Sequence, residues 1–424
     1  MSQIQQETYD VVVVGGGAAG MMAAGTAAEN GYRTLLLEKN LRLGRKLIIT
    51  GKGRCNIVNN CDVPTVIASI PSNGRFLYGA VSKFPPQDII DFFEGLGLPV
   101  KTERGNRVFP QSDTSRDVVD TMVKFVRENG VEIVTGTAKH LLFEEGAIAG
   151  VGLEDGREIR ANHVIVCCGG LSYPVTGSTG DGYRLAKQAG HTITNLHPSL
   201  VPLVANGRDC PAMQGLSLKN VAIQVYDIRK KHMIYEDFGE MLFTHFGLTG
   251  PIILSASSHM REMEPSRYEV VIDLKPALTL EQLDARLQRD FEKNLKKDFI
   301  NSLSELLPRK MIPVLVAKSG IEPDTKCNQI TREARRKFAE LLKGVRISIK
   351  GFRPIEEAIV TSGGVSVKEI NPKTMESKLV PGLYFAGEVL DVDAYTGGFN
   401  LQIAFSTGRL AANSLYQASK GEQI

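Results

Sequence analysis

An α/β fold built on a parallel sheet and interrupted by an insertion is what this sequence predicts, and three observations carry the prediction. Residues 11–14 form a β-branched run that leads straight into Gly15-Gly16-Gly17-Ala18-Ala19-Gly20, which holds G-x-G-x-x-G at Gly15, Gly17 and Gly20. A second apolar run, residues 35–37, ends at Glu38. Near the other end of the chain, residues 383–386 read as a strand that stops at Gly387-Glu388 and is followed by a loop rich in acid and glycine, then a helix. Strand, glycine turn, helix and acid-tipped strand, in that order, are what a Rossmann-like βαβ unit requires.

Each part of that unit has a physical reason. Gly15 allows the tight turn after the strand. Gly17 lets the backbone approach a pyrophosphate, and Gly20 lets the helix lie close to the strand. The helix start offers unpaired N–H groups and partial positive charge. The small residues 23–28 suit close packing, and Glu38 can accept hydrogen bonds from a ribose diol.

Further along, helical patterns cover residues 88–96 and 114–129. A meander follows, with strands at 131–134, 138–143 and 147–153, a turn at Asp155-Gly156 and a strand at 157–160. Residues 163–168 read as a buried strand carrying Cys167 and Cys168 on opposite faces and ending in Gly169-Gly170. This strand is expected beside the first in one parallel sheet. A helix opens at Thr179-Gly180-Asp181 and stops at Gly190.

The texture changes near Pro198. Residues 199–245 read as short strands, and a helix starts at Pro251 with Thr249 as its cap. From Thr279 to Phe338 the chain is charged and helical, with Leu280, Leu283, Leu287 and Phe291 at helical spacing. After 346–350 the alternating texture returns, and a last helix covers 399–417. The domains that follow are 1–193 with 352–424 as a discontinuous nucleotide-binding domain, 194–276 with 344–351 as a β-rich cap, and 277–343 as a helical subdomain.

Composition narrows the function. Among 424 residues, 50 are Lys or Arg and 47 are Asp or Glu, for a net charge of +3, which argues against a nucleic-acid partner or an anionic membrane. No apolar run approaches the roughly 18 residues of a spanning helix, and no secretory signal fits ahead of the first strand. Six scattered cysteines suggest reduced thiols in a cytoplasmic protein. No spacing of His, Cys and Asp resembles a metal site.

Gly397 and Gly398 stand just before the last helix, whose free N–H groups would stabilise the negative charge that a flavin ring gains on reduction. With these segments in hand the sequence resembles the BaiN/YhiN-like family of bacterial FAD flavoproteins, in the fumarate-reductase-like branch of the two-dinucleotide-binding (GR2-type) folds. The resemblance rests on Gly15 to Gly20 with Glu38-Lys39, and on Gly44-Arg45-Lys46 through Gly51-Lys52-Gly53-Arg54-Cys55-Asn56. It also takes in the segments 169–190, 242–251 and 361–365, and Gly387 to Gly408 with its Thr-Gly-Gly-Phe-Asn-Leu-Gln.

The resemblance implies FAD in an extended pose. Glu38, with Lys39 beside it, would meet the adenosine ribose, Ala18 and Ala19 the pyrophosphate, and Ala138 the adenine. Arg45, Lys46, Cys55 and Asn56 would lie along the ribityl and flavin side, with Gly169 in the cofactor-facing junction. Gly387 and Glu388 would meet the pyrophosphate and ribityl chain, and Asn400, Leu401 and Gln402 the isoalloxazine. Lys52 stands where the family's loop often has glycine, which puts close backbone approach at that position in doubt. Arg54 could hold the pyrophosphate or an anionic substrate.

The expected activity is that of an FAD-dependent oxidoreductase passing hydride between flavin N5 and a carbon substrate, such as a polarised C=C. NAD(P)H would be a transient reductant, since no second nucleotide motif is present. The insertion would build the pocket for a small-molecule substrate, with His245 and Tyr395 as candidate proton donors. Relatives are linked to bile-acid enone reduction, but no residue here specifies a steroid. An amine oxidase using O₂ and a non-catalytic or RNA-associated flavoprotein are the alternatives. A redox pair at Cys55 and Cys61 is a minor one, and the oligomeric state is open.

Overall fold

The strand β1 (Tyr9–Val14) forms the middle of a parallel sheet. Its neighbours are β2 (Thr34–Glu38) on one side and β3 (Glu158–Val166) on the other, both parallel to it. Val11, Val12 and Val13 are fully buried, as a strand covered on both faces must be. The strand Glu132–Thr135 extends the sheet beyond β2, and β4 (Leu383–Phe385) pairs in parallel with the end of β3. The first half of β3 also pairs antiparallel with Ala147–Leu153, which pairs in turn with Ala138–Glu144. The computed structural model describes residues 8–419, with the side chains of the last four of these left aside.

The expected junction of the second glycine turn with the first is present, with two differences. The strand expected at 157–160 and the one at 163–168 are one continuous strand, whose two halves pair with different partners. It ends at Val166, so Cys167 and Cys168 lie in the turn beyond it.

The helix α1 (Ala18–Glu29) begins directly after Gly17, and α2 (Phe399–Ser419) packs along it. Glycine makes both close contacts feasible. A side chain at Gly20 would overlap the Gly15 carbonyl oxygen, and one at Gly408 would put Cβ 2.5 Å from the Ala19 carbonyl oxygen. Gly15 itself has φ +105°, and a Cβ there would lie 2.6 Å from the Cys167 carbonyl.

By its internal contacts the chain divides into Met1–Ser199 with Ala358–Ile424, which holds this sheet, and Leu200–Glu357. In the second unit six strands close a barrel, in the order Leu203–Ala205, Gly247–Thr249, His232–Phe243, Ser217–Asp227, Tyr268–Asp273 and Val345–Phe352. In Ser217–Asp227 the buried residues Val221, Ile223 and Val225 alternate with more exposed ones, the period of a strand with one face inward. Two of these strands, of 11 and 12 residues, are long where short ones were expected. The charged stretch is helical: Leu280–Lys293 starts with a capping box between Thr279 and Gln282 and buries Leu283, Leu287 and Phe291. The helix Pro251–Ser257 is capped by Gly250 rather than Thr249, because Thr249 is held in the barrel as the last residue of its strand.

Candidate functional site

One cleft in the first unit gathers the carboxyl ends of the parallel strands, where ligands bind in open α/β sheets. It has a volume of about 1330 Å³ including its mouth, and its walls include Gly15, Gly16, Gly17, Ala18 and Ala19 from the first turn and Glu38 and Lys39 from the end of β2. Asn400 and Leu401, from the first turn of α2, line it as well. Two helix N-termini and an acid therefore open on one space. A Cβ built on Gly17 meets nothing within 4 Å. The backbone there borders free volume, whereas Gly15 and Gly20 are glycines because protein atoms crowd them.

Glu38 closes the β2 end. Its Oε2 accepts the Gly16 N–H at 2.6 Å, and its Oε1 accepts from the backbone and side-chain amides of Asn40 at 2.8 and 2.6 Å. Each oxygen can accept more than one bond, so acceptor capacity remains at Oε2. Lys39 Nζ donates to Asp181 Oδ2 at 2.6 Å and to Thr179 Oγ1 at 2.5 Å. Lys39 also keeps the Asp181 carboxyl below its usual range against the opposing effect of burial, the largest influence on it.

Arg45, Lys46, Ala138, Gly169 and Glu388 also line the cleft. Arg45 donates to Asn40 Oδ1 at 2.6 Å, and the Ala138 carbonyl accepts from Arg184 at 2.8 Å. Asn400 holds its own approach loop: its Oδ1 accepts the Ala394 N–H at 3.0 Å and its Nδ2 donates to the Ala394 carbonyl at 2.9 Å. Gly398 fixes where α2 starts. It has φ +101°, and a Cβ would lie 2.5 Å from the Val58 carbonyl carbon.

Other expected residues stand elsewhere. Gly20 packs α1 to the sheet, and Gly387 donates its N–H to Thr407 Oγ1 at 2.9 Å. Arg54 pairs with Glu103 at 2.5 Å and with Asp113, and it lies over the Phe109 ring. Both acids hold its guanidinium firmly protonated. Cys55, Asn56 and Gln402 are not among the residues lining the cleft. Asn56 Oδ1 and Gln402 Oε1 are buried without a hydrogen-bond partner, an arrangement native proteins seldom leave unused. Gln402 Nε2 donates to the Phe84 carbonyl at 2.8 Å.

The thiols disfavour a redox pair. Burial pushes Cys55 up to about 12 and Cys61 up to about 11, so neither is a ready thiolate, and both are free. Tyr395 is half-buried and donates its backbone N–H to the Ser69 carbonyl at 3.0 Å. His245, in the second unit, is exposed at the tip of the hairpin between His232–Phe243 and Gly247–Thr249, edge-on to Phe246.

Several cleft residues escaped the sequence reading. Cys167 and Cys168 read as core but line the cleft, as do Asn40, Asp181, Ile359, Val360 and Val392. Asp181 had a signal in its place at a helix start beside a glycine turn. Ile359 and Val360 had none, being ordinary apolar residues brought in from far along the chain. Among the described residues no group of three or more His, Cys, Asp and Glu could hold a metal ion, and no helix is long and apolar enough to cross a membrane.

The fold and the cleft define a dinucleotide-binding protein of Rossmann type. Residues 9–414 match the family described as HI0933-like protein Rossmann domain, and the chain belongs to that family. It is 30% identical over 407 residues to the 3-dehydro-bile acid delta(4,6)-reductase of Clostridium scindens, covering 95% of this chain and 98% of that one. It is also 30% identical over 418 residues to the ribosomal RNA dihydrouridine synthase of Escherichia coli, covering 97% and 99%. A 3-ketosteroid-delta4-(5alpha)-dehydrogenase from Rhodococcus jostii shares the fold, with a TM-score of 0.51 over 96% of this chain and 97% of that one, at 15% identity.

Proposed function

We propose that this chain is an FAD-dependent oxidoreductase that reduces a carbon–carbon double bond conjugated to a carbonyl. The observation that carries the reading is the cleft in which the N-terminus of α1, the N-terminus of α2 and the Glu38 carboxylate converge. Their chemistry fits FAD. Backbone N–H groups of Ala18 and Ala19 suit a diphosphate, Glu38 suits a ribose diol, and Asn400 and Leu401 suit the polar edge of a flavin. FAD bound there would supply hydride at N5. The α2 N-terminus would favour the negative charge of the reduced ring.

The reaction class draws on the two full-length relatives. A bile-acid delta(4,6)-reductase and a dihydrouridine synthase both, by name, saturate a C=C conjugated to a carbonyl. We take NAD(P)H as the transient reductant and His245 and Tyr395 as candidate donors of the proton that completes the addition. The substrate is either a small enone or a uridine in RNA. The first is the class named for the Clostridium scindens relative and the second that named for the Escherichia coli relative, and the balanced net charge of +3 weighs toward the first.

The test is reduction under NADH or NADPH, without air, of a 3-oxo-Δ4 steroid and of unmodified ribosomal RNA. Flavin reoxidation by either one identifies the class. Reoxidation by neither, with flavin reduction by an amine in place of NAD(P)H and rapid reoxidation by O₂, would replace the reductase reading with that of an oxidase.

A further inference from the structure

We propose that Lys46 and Glu388 form a charge-balanced pair in the cleft wall that sets, through that balance of charge, the affinity for the dinucleotide and the potential of the bound flavin. The proposal rests on the FAD reading above. Lys46 Nζ lies 2.7 and 3.0 Å from the two Glu388 oxygens and 2.6 Å from Ser172 Oγ. An ammonium has three N–H donors, and all three are spoken for.

Glu388 is committed chiefly through one oxygen, while its Oε2 accepts from Lys46 alone. Its Oε1 also accepts the Thr361 N–H at 2.9 Å and the Ser172 hydroxyl at 3.0 Å. Ser172 is fully buried, so this knot cannot turn outward as a unit. The knot joins residues 46 and 172 from the first half of the discontinuous unit to residues 361 and 388 from the second. Both ionic side chains are about one-fifth exposed (22% each) and line the cleft. With most of their hydrogen bonds directed at each other, at Ser172 and at Thr361, the field that the pair presents to a ligand is nearly neutral.

Removing one partner unmasks the other in a partly desolvated wall, where charges interact more strongly than in water. An uncompensated Lys46 attracts the diphosphate and stabilises the negative reduced flavin. An uncompensated Glu388 does the reverse. Effects of opposite sign distinguish charge balance from a merely structural knot, whose loss by either route would act in one direction.

The experiment measures the FAD dissociation constant and the flavin midpoint potential for wild type, Glu388→Gln, Lys46→Met and the double variant, at low and high salt. Glu388→Gln is expected to tighten FAD several-fold and raise the potential, and Lys46→Met to weaken FAD several-fold and lower it. The double variant should return close to wild type, and the differences should shrink with salt. Glu388→Gln keeps the shape and an acceptor for Thr361, so the test stands even where Lys46→Met folds poorly. Both single variants weakening FAD, or shifting the potential the same way, would overturn the proposal and leave the FAD reading intact. Wild type that binds no FAD would overturn both.

Discussion

The carboxylate of Glu38 accepts the backbone N–H of Gly16 at 2.6 Å. This bond ties the end of β2 to the turn between β1 and α1, so Glu38 shapes that turn as well as facing the cleft. The sequence alone suggested a residue reserved for ligand. Glu38→Gln is therefore expected to weaken FAD by roughly 1.5–3 kcal/mol, the range for a hydrogen bond to a charged group, and also to lower the melting temperature of the apoprotein. Titration calorimetry and thermal melts of the apoprotein check the two effects. A normal FAD affinity with a lowered melting temperature would make Glu38 structural only.

Gly17 and Gly20 lie three positions apart in one motif and should fail in different ways. A Cβ at Gly17 enters open space, while one at Gly20 overlaps the Gly15 carbonyl. Gly17→Val should fold, with a circular dichroism spectrum and melt near those of wild-type apoprotein, and should not hold FAD. Gly20→Val should give little soluble protein. Equal loss of fold in both would show that the Gly17 backbone is not a ligand surface.

His191 predicts a pH dependence of stability. It is buried, its Nε2 lies 2.8 Å from Ser377 Oγ, and its Nδ1 lies 3.2 Å from Glu369 Oε2. Burial lowers its pKa from the ordinary 6.5, outweighing the nearby Glu369 carboxylate. The unfolded chain thus binds a proton more readily than the folded one. This contribution is fully present above about pH 6.5 and is lost as pH falls below that value. Melting temperature followed downward from about pH 8 should drop more steeply in wild type than in His191→Gln. Parallel curves would mean that His191 takes up a proton as readily in the folded protein as in the unfolded chain.

The proton donor can be separated from the cofactor. If His245 completes the addition, His245→Asn should slow substrate reduction by about 10²-fold or more. FAD affinity and flavin reduction by NAD(P)H should stay unchanged. Tyr395→Phe is the parallel test. Stopped-flow measurement of the two half-reactions decides, and an unaltered oxidative half-reaction in both variants would remove both residues from the chemistry.

The sequence made some parts of this molecule legible and hid others for physical reasons. Gly15, Gly17, Gly20 and Glu38 were readable because a tight turn, a free backbone and an acid at a strand tip each demand one residue type. The parallel partnership of β3 with β1 was readable from the glycine turn that ends it. The barrel was not, because closure depends on pairing Leu203–Ala205 with Val345–Phe352, and local alternation carries no record of so distant a partner. Thr249 looked like a cap because threonine favours that position, but tertiary pairing claimed it for a strand. Lys46 and Glu388 were each legible as cleft residues. Their commitment to one another was not, since it depends on how a chain separation of 342 positions folds back.

The most direct test of the account is a titration of FAD into wild-type apoprotein and into Gly17→Val, followed by flavin fluorescence and by the absorbance of the desalted protein. Wild type is predicted to retain FAD in equimolar amount after desalting, while folded Gly17→Val retains none. Wild-type protein that leaves the column colourless, or a Gly17→Val protein that binds FAD as tightly as wild type, would contradict the placement of a flavin dinucleotide in this cleft.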